Sequence, residues 1–236
     1  MKHFQQHTLH IHSFAMPVLD SRMYLISQPE KTEELLIIDP LESDEAIPLF
    51  KQYTKATILL THSHYDHISG VNWLRTQLPC TLISSPVCAQ KIANPNKNLA
   101  AFSYALVMDK TEEEQKQAAE IMDFHYRCEA DRIVQTPFTF VFGDFKVHIL
   151  PTPGHSDCSQ CIELTTDIEA LPSRIVFTGD SLVNGHDTIT RLPSGSKKDY
   201  NAITKPYLMS LPKDTLIMPG HGDWGELLAR ENLSLL

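Results

Sequence analysis

Long apolar runs are missing from this chain of 236 residues. No 18-residue window is apolar enough for a transmembrane helix, and the opening MKHFQQHTLHIHSF lacks the unbroken hydrophobic stretch of a signal peptide. A cytoplasmic protein without a membrane partner is the expectation. Basic clusters are missing too: 20 Lys+Arg against 29 Asp+Glu give a net charge of −9, and no Lys/Arg run exceeds the pair Lys197-Lys198. A phosphate-backbone ligand is disfavoured, so no nucleic acid is expected. The 5 cysteines, Cys80, Cys88, Cys128, Cys158 and Cys161, are odd in number and irregularly spaced, which excludes a disulfide framework and suits a reducing compartment. Repeats and low-complexity tracts are also absent. What remains is an ordinary globular composition, 42% hydrophobic and 21% charged, in a length that suits one domain over residues 1–236. Histidine, at 12 residues, is the type in excess.

Alternation and β-branched runs predict strands at Thr8 to Phe14, Met23 to Gln28, Glu34 to Asp39, Thr57 to Thr61 and Cys80 to Ser84. Later strands are predicted at Phe138 to Phe142, Lys146 to Leu150, Gln160 to Leu164, Arg174 to Phe177 and Thr215 to Met218. Helices are predicted at Ser43 to Tyr53, Ser69 to Gln77, after Ser85-Pro86, over Lys198 to Ser210, and from Trp224 onward. Asn94 to Asp131 reads as a helical insert, in which Thr111 and Glu114 have the spacing of a capping box.

His62, His64 and His67, with Asp66 between them, give H-x-H-x-D-H directly after a predicted strand. Two imidazoles two residues apart on an extended segment point the same way and can share one metal, while Asp66 and His67 reach a second position beside it. His155, Asp180 and His221 each follow a later β-run, and a glycine beside each lets the backbone bend toward a common centre. Asp39 sits in a turn at a strand end, where a buried carboxylate orienting a ligand histidine is expected rather than a ligand. The alternation His10-Ile11-His12 reads as a solvent-facing strand, and Cys158 and Cys161 read as structural cysteines.

With HSHYDH, PTPGHSD, FTGDSL and MPGHGD in this order, plus the turn Ile38-Asp39-Pro40, the chain resembles the metallo-β-lactamase fold superfamily on its glyoxalase II-like side. The resemblance implies an α+β fold, an αββα sandwich with metals at one edge between two sheets. It implies that His62, His64 and His155 hold one metal, that Asp66, His67 and His221 hold a second, and that Asp180 bridges them. Asp66 and Asp180 are then the expected catalytic carboxylates. Two divalent metals about 3.5 Å apart generate a hydroxide at neutral pH and polarise a carbonyl, which is hydrolytic equipment. Zinc is the favoured pair, with iron or manganese also compatible with His and carboxylate donors.

Resemblance also narrows the substrate to a small acyl compound, free or bound to a carrier. A thiolate leaves without a proton, whereas an alkoxide benefits from a general acid. Lactone hydrolases of the superfamily place a Tyr three residues after the bridging Asp, where this chain has Val183. Thioester hydrolysis therefore leads, ahead of a lactone or ester hydrolase, a mononuclear iron persulfide dioxygenase, and a non-catalytic regulator on the same scaffold. Full glyoxalase II carries a long basic helical C-terminal domain, with no counterpart in the short tail whose sole basic residue is Arg230. An insert covering the metal edge, as in the quinolone-signal thioesterase that the chain resembles, would offer Phe102, Tyr104, Met108, Phe124 and Tyr126 as an apolar acyl pocket. His186, six residues after Asp180, is the one further histidine near enough to the site to matter.

Overall fold

A computed structural model describes residues 1–183 and 187–222. Two sheets form its centre. The first has 7 strands in sequence order: β1 (Lys2–Gln6), β2 (Leu9–Ala15), β3 (Arg22–Ser27), β4 (Glu34–Ile38), β5 (Lys55–Leu59), β6 (Cys80–Ser84) and β7 (Arg132–Ile133). It starts as an antiparallel meander and becomes parallel from β4 onward. Parallel neighbours need crossovers, and these carry the helices: α1 (Ile47–Phe50), then α2 (Tyr65–Ile68) and α3 (Val71–Gln77), then α4 (Pro86–Ile92) and α5 (Glu112–Ile121). The second sheet has 5 strands: β8 (Phe138–Phe142), β9 (Phe145–Pro151), β10 (Gln160–Thr165) and β11 (Arg174–Gly179), antiparallel in sequence order, with β12 (Leu216–Pro219) parallel to β11.

Period-2 alternation sorts the side chains into three apolar layers. Ile58 and Leu82 face outward onto Phe50, Leu74 and Ile92 of the helices. Ile26, Ile38 and Leu59 face inward onto Val147, Ile162 and Phe177 of the second sheet. On the far side Val176 and Ile217 meet Leu208 and Leu211. Helix, sheet, sheet, helix is the resulting order, the αββα sandwich expected.

Several predicted elements differ in extent. The helix expected over Ser43 to Tyr53 shrinks to a 3₁₀ turn (Asp44–Ala46) and the single turn α1, with Pro48 near its start. Within the insert only Ala100–Val107, as 3₁₀, and α5 are helical, and residues 122–131 are irregular. That irregular stretch finds partners on the body: Cys128 N donates to the Ile92 carbonyl at 3.1 Å, and Leu82 N to Asp131 Oδ2 at 2.7 Å. Ser85 caps α4 and Thr111 with Glu114 forms the capping box on α5, both as expected. The later helical run comprises α6 (Lys197–Asp199), a π turn (Tyr200–Thr204) and α7 (Lys205–Ser210). The π turn falls where Pro206 removes the N–H that the Ala202 carbonyl would accept. The helix expected from Trp224 lies outside the described residues, as do His186 and Arg230.

Candidate metal centre

Every residue of the expected ligand set lies just beyond the C-terminal end of a strand. His62, His64, Asp66 and His67 follow β5, His155 follows β9, Asp180 follows β11 and His221 follows β12, so both sheets deliver side chains to one edge. Backbone bonds clasp the sheets there: Gln160 N donates to the Thr61 carbonyl at 2.8 Å, and Arg22 N to the Gly220 carbonyl at 2.8 Å. Gly179 turns the chain at φ +50°, and a Cβ on Gly220 would lie 2.4 Å from Asp180 Oδ1. Only glycine fits that approach.

His62, His64 and His155 converge in one group, with His155 Nε2 3.0 Å from His64 Nδ1. Asp66, His67 and His221 converge in a second, with His67 Nε2 3.2 Å from His221 Nε2. Asp180 stands between them: Oδ2 is 3.4 Å from His155 Nε2, while Oδ1 is 3.3 Å from His67 Nε2 and 3.4 Å from His221 Nε2. Nitrogen donors about 2.0 Å from a tetrahedral centre are about 3.3 Å apart, which is the spacing these atoms already have. Two buried atoms of the cluster, His62 Nε2 and Asp180 Oδ1, have no hydrogen-bond partner. A cation at each position satisfies both, so the residues present fit a metal pair.

Hydrogen bonds behind the ring fix which nitrogen faces inward. His155 Nδ1 donates to the Ile189 carbonyl at 2.8 Å and His221 Nδ1 to the Leu19 carbonyl at 2.9 Å. His67 Nδ1 donates to Asp39 Oδ2 at 2.9 Å. Asp39, held at φ +51° and 2% exposed, also accepts from Thr61 N at 2.7 Å and from the Thr61 hydroxyl at 2.5 Å. Because that hydroxyl gives its one proton to Asp39, its oxygen accepts from His62 Nδ1 at 3.1 Å, and His62 Nε2 is left with its lone pair. Asp39 thus orients two imidazoles and is a positioning residue.

Electrostatics separate the two groups. Burial keeps His62 neutral, and it lowers His64 to about 3. At His67 and His221 burial works the same way, but the Asp66 and Asp180 carboxylates override it, raising His67 well above the usual range and His221 to about 10. Asp66 falls to about 2 because His67 and His221 outweigh its burial. Protons on imidazole thus balance the two carboxylates, and a dication is the natural replacement.

The sequence matches the metallo-beta-lactamase superfamily over residues 16–228. The chain belongs to that superfamily. Relatives include a probable metallo-hydrolase of Streptococcus pyogenes serotype M6, 26% identical and covering 86% of this chain and 79% of that protein. A hydroxyacylglutathione hydrolase of Polaromonas sp. is 28% identical over 84% of this chain, and a probable one of Schizosaccharomyces pombe is 26% identical over 81%. The chain spans 60% of the length of each of these two glyoxalase II-type proteins. Among solved structures, the BLEG-1 B3 metallo-β-lactamase superposes with a TM-score of 0.69 at 23% identity, covering 90% of this chain and 92% of that one. TTHA1623, crystallised in a di-iron-bound form, gives 0.68 at 24% identity, covering 95% and 100%. These neighbours show the fold of the superfamily. The chain is therefore a metallo-β-lactamase superfamily member of glyoxalase II-like and metallo-hydrolase kinship, with a His/Asp cluster of metal-binding character.

The insert residues differ in their surroundings. In the 3₁₀ segment residues three apart share a face; Ala100 and Ser103 point inward, which leaves Phe102, Tyr104 and Met108 56%, 44% and 66% exposed. Tyr104 instead packs edge-on against Phe124, with ring centres 6.5 Å apart. Tyr126 is buried, donates to the Ile68 carbonyl at 2.8 Å and lines a cavity of about 480 Å³ with Tyr65. Sequence reasoning passed over Thr61 and the Leu19 and Ile189 carbonyls. Thr61 precedes His62 directly, and that adjacency was the one available signal.

Proposed function

We propose that the chain is a dinuclear metal-dependent hydrolase of acyl thioesters. The observation that carries the reading is Asp180, whose two oxygens face the two donor groups separately. His62, His64 and His155 would hold one ion, Asp66, His67 and His221 the other, and Asp180 would bridge. A metal pair there supplies a nucleophile from water at neutral pH and polarises the scissile carbonyl. The protein's own part is orientation: the Ile189 and Leu19 carbonyls, Asp39 and Thr61 aim the inner imidazole nitrogens at the centre, where a bound cation would take the place of protons. Val183 offers no proton to a departing alkoxide, and a thiolate needs none. Kinship to hydroxyacylglutathione hydrolases supports the same bond class. Zinc suits the donor set of imidazole and carboxylate.

The test is a panel of acyl thioesters, matched oxygen esters and lactones on metal-loaded protein, with metal content and oxygen uptake measured in parallel. Thioester turnover dependent on two bound metals is expected. Turnover of lactones alone, or oxygen consumption with one bound iron, would replace the reading.

A further inference from the structure

Lysine is seldom buried, yet Lys91, in the last turn of α4, is only 9% exposed. Its ammonium donates to the Asp157 carboxylate and to the Ser194 hydroxyl, the latter at 2.6 Å. A buried ammonium is costly unless it is paired and hydrogen-bonded, so these two partners are what hold it there. Their places in the chain are informative. Asp157 follows His155 by two residues, and Ser194 belongs to segment 188–196, whose Ile189 carbonyl accepts from His155 Nδ1 at 2.8 Å. One ammonium therefore grips both the loop that carries His155 and the segment that aims it.

Segment 188–196 meets the His155 loop at both ends: His155 Nδ1 reaches Ile189, and Ser196 N donates to the Gly154 carbonyl at 2.8 Å. Between these ties Ser194 holds φ +68°, a region that serine rarely adopts, and from there its hydroxyl reaches Lys91. The contact also crosses the sandwich. His62 and His64 follow β5 and Lys91 follows β6, all from the first sheet, whereas His155 follows β9 of the second. With His155 Nε2 3.0 Å from His64 Nδ1, the donor group forms only when the two halves keep their register. Lys91 ties them together beside it.

We infer that Lys91 is a positioning residue for the first donor group: bound to Asp157 and Ser194, it keeps the Ile189 carbonyl on His155 Nδ1 and His155 Nε2 beside His64. The ammonium takes no part in the chemistry. The inference deepens the hydrolase reading and rests on it for the ion that His155 would hold. A plain anchor would steady the whole fold, whereas a positioning role is local to His155.

Solvent exchange of the histidine ring protons, followed by nitrogen-edited NMR, tests it without any turnover. His155 and His67 are both buried and each donates its Nδ1 proton to a fixed acceptor, so exchange requires local opening and His67 serves as the internal reference. In metal-loaded protein Lys91→Met should speed exchange at His155 at least about tenfold and leave His67 within about twofold. Lys91→Arg, which keeps the charge and can donate to both partners, should bring His155 back to within about threefold of the unaltered rate. Competition with a chelator should show one of the two metal-binding steps weakened about 3–10-fold by Lys91→Met and the other unchanged. Equal acceleration at His155 and His67, no change at His155, no rescue by arginine, or equal weakening of both metal steps overturns the inference. If Lys91→Met does not fold, Ser194→Ala decides: a selective rise of about threefold at His155 supports the inference and its absence overturns it. The same exchange pattern in metal-free protein that binds no ion and turns over no acyl compound would leave Lys91 assigned and remove the hydrolase reading.

Discussion

Asp180 and Asp39 are both carboxylates at strand ends, yet their surroundings set them different tasks. Asp180 turns one oxygen to each donor group, so Asp180→Ala removes a donor from both positions at once. We expect that variant to retain less than half the metal of His221→Ala, by elemental analysis after identical loading; equal losses would count against a bridge. Asp39 reaches the centre only through His67 Nδ1 and Thr61. Asp39→Asn should weaken the second position by about 10–100-fold while both ions still bind at saturation, measured by competition with a chromophoric chelator. A third case lies far from the centre. His3 stacks on His12 with ring centres 4.1 Å apart, and burial, with repulsion from His3 and His10 added, lowers His12 to about 4. The unfolded chain takes up that proton near pH 6.5 and the folded chain only near 4, so stability is lost as pH falls between those values. His12→Asn should flatten the fall in Tm across that window relative to the unaltered protein.

Elements whose sequence carries a burial period were legible, and those held mainly by pairing were not. β2 reads Leu9, Ile11 inward and His10, His12 outward, and folds so. β1, with KHFQQ exposed almost throughout, has no such period; its ladder to β2 and the half-buried Phe4 against the inner layer hold it. β7 has two residues and is held by the edge of β6. The insert differed in another way: it was expected to be helical from Asn94 to Asp131, whereas its 3₁₀ turn buries Ala100, Ser103 and Val107 and leaves Phe102 and Tyr104 exposed. Its attachment depends on the irregular part, where the Tyr126 hydroxyl serves both Ile68 and Asn72. Tyr126→Phe strands a buried carbonyl and should cost about 1–3 kcal/mol, while Phe102→Ala or Met108→Ala should stay within about 0.5 kcal/mol. Urea unfolding of metal-loaded variants at constant m-value distinguishes the two classes.

At the scale of the molecule, the residues proposed as donors could be picked out because they fall in short runs at strand ends, three of them beside glycines. The atoms that aim those donors were not, because the Leu19 and Ile189 carbonyls are backbone groups that any residue would supply. Four of the seven proposed ligands hang from the first sheet and three from the second, so each position of the pair joins the two halves of the sandwich. Ions bound there would act as staples across the inner apolar layer, stabilising the folded state because the unfolded chain does not preassemble the site. At free ion concentrations about 100 times Kd, each site adds roughly 2.7 kcal/mol, or about 5–10 °C in Tm for a chain of this size. Removing the metal should leave five clustered imidazoles and two carboxylates to balance their charges with protons, as the raised His67 and His221 show. We therefore expect Tm to fall in two stages as a chelator is titrated, the position lacking Asp39 support in Asp39→Asn emptying first. A Tm that is indifferent to chelation while metal is lost would mean that the inner layer alone holds the sheets together and that the centre contributes only chemistry.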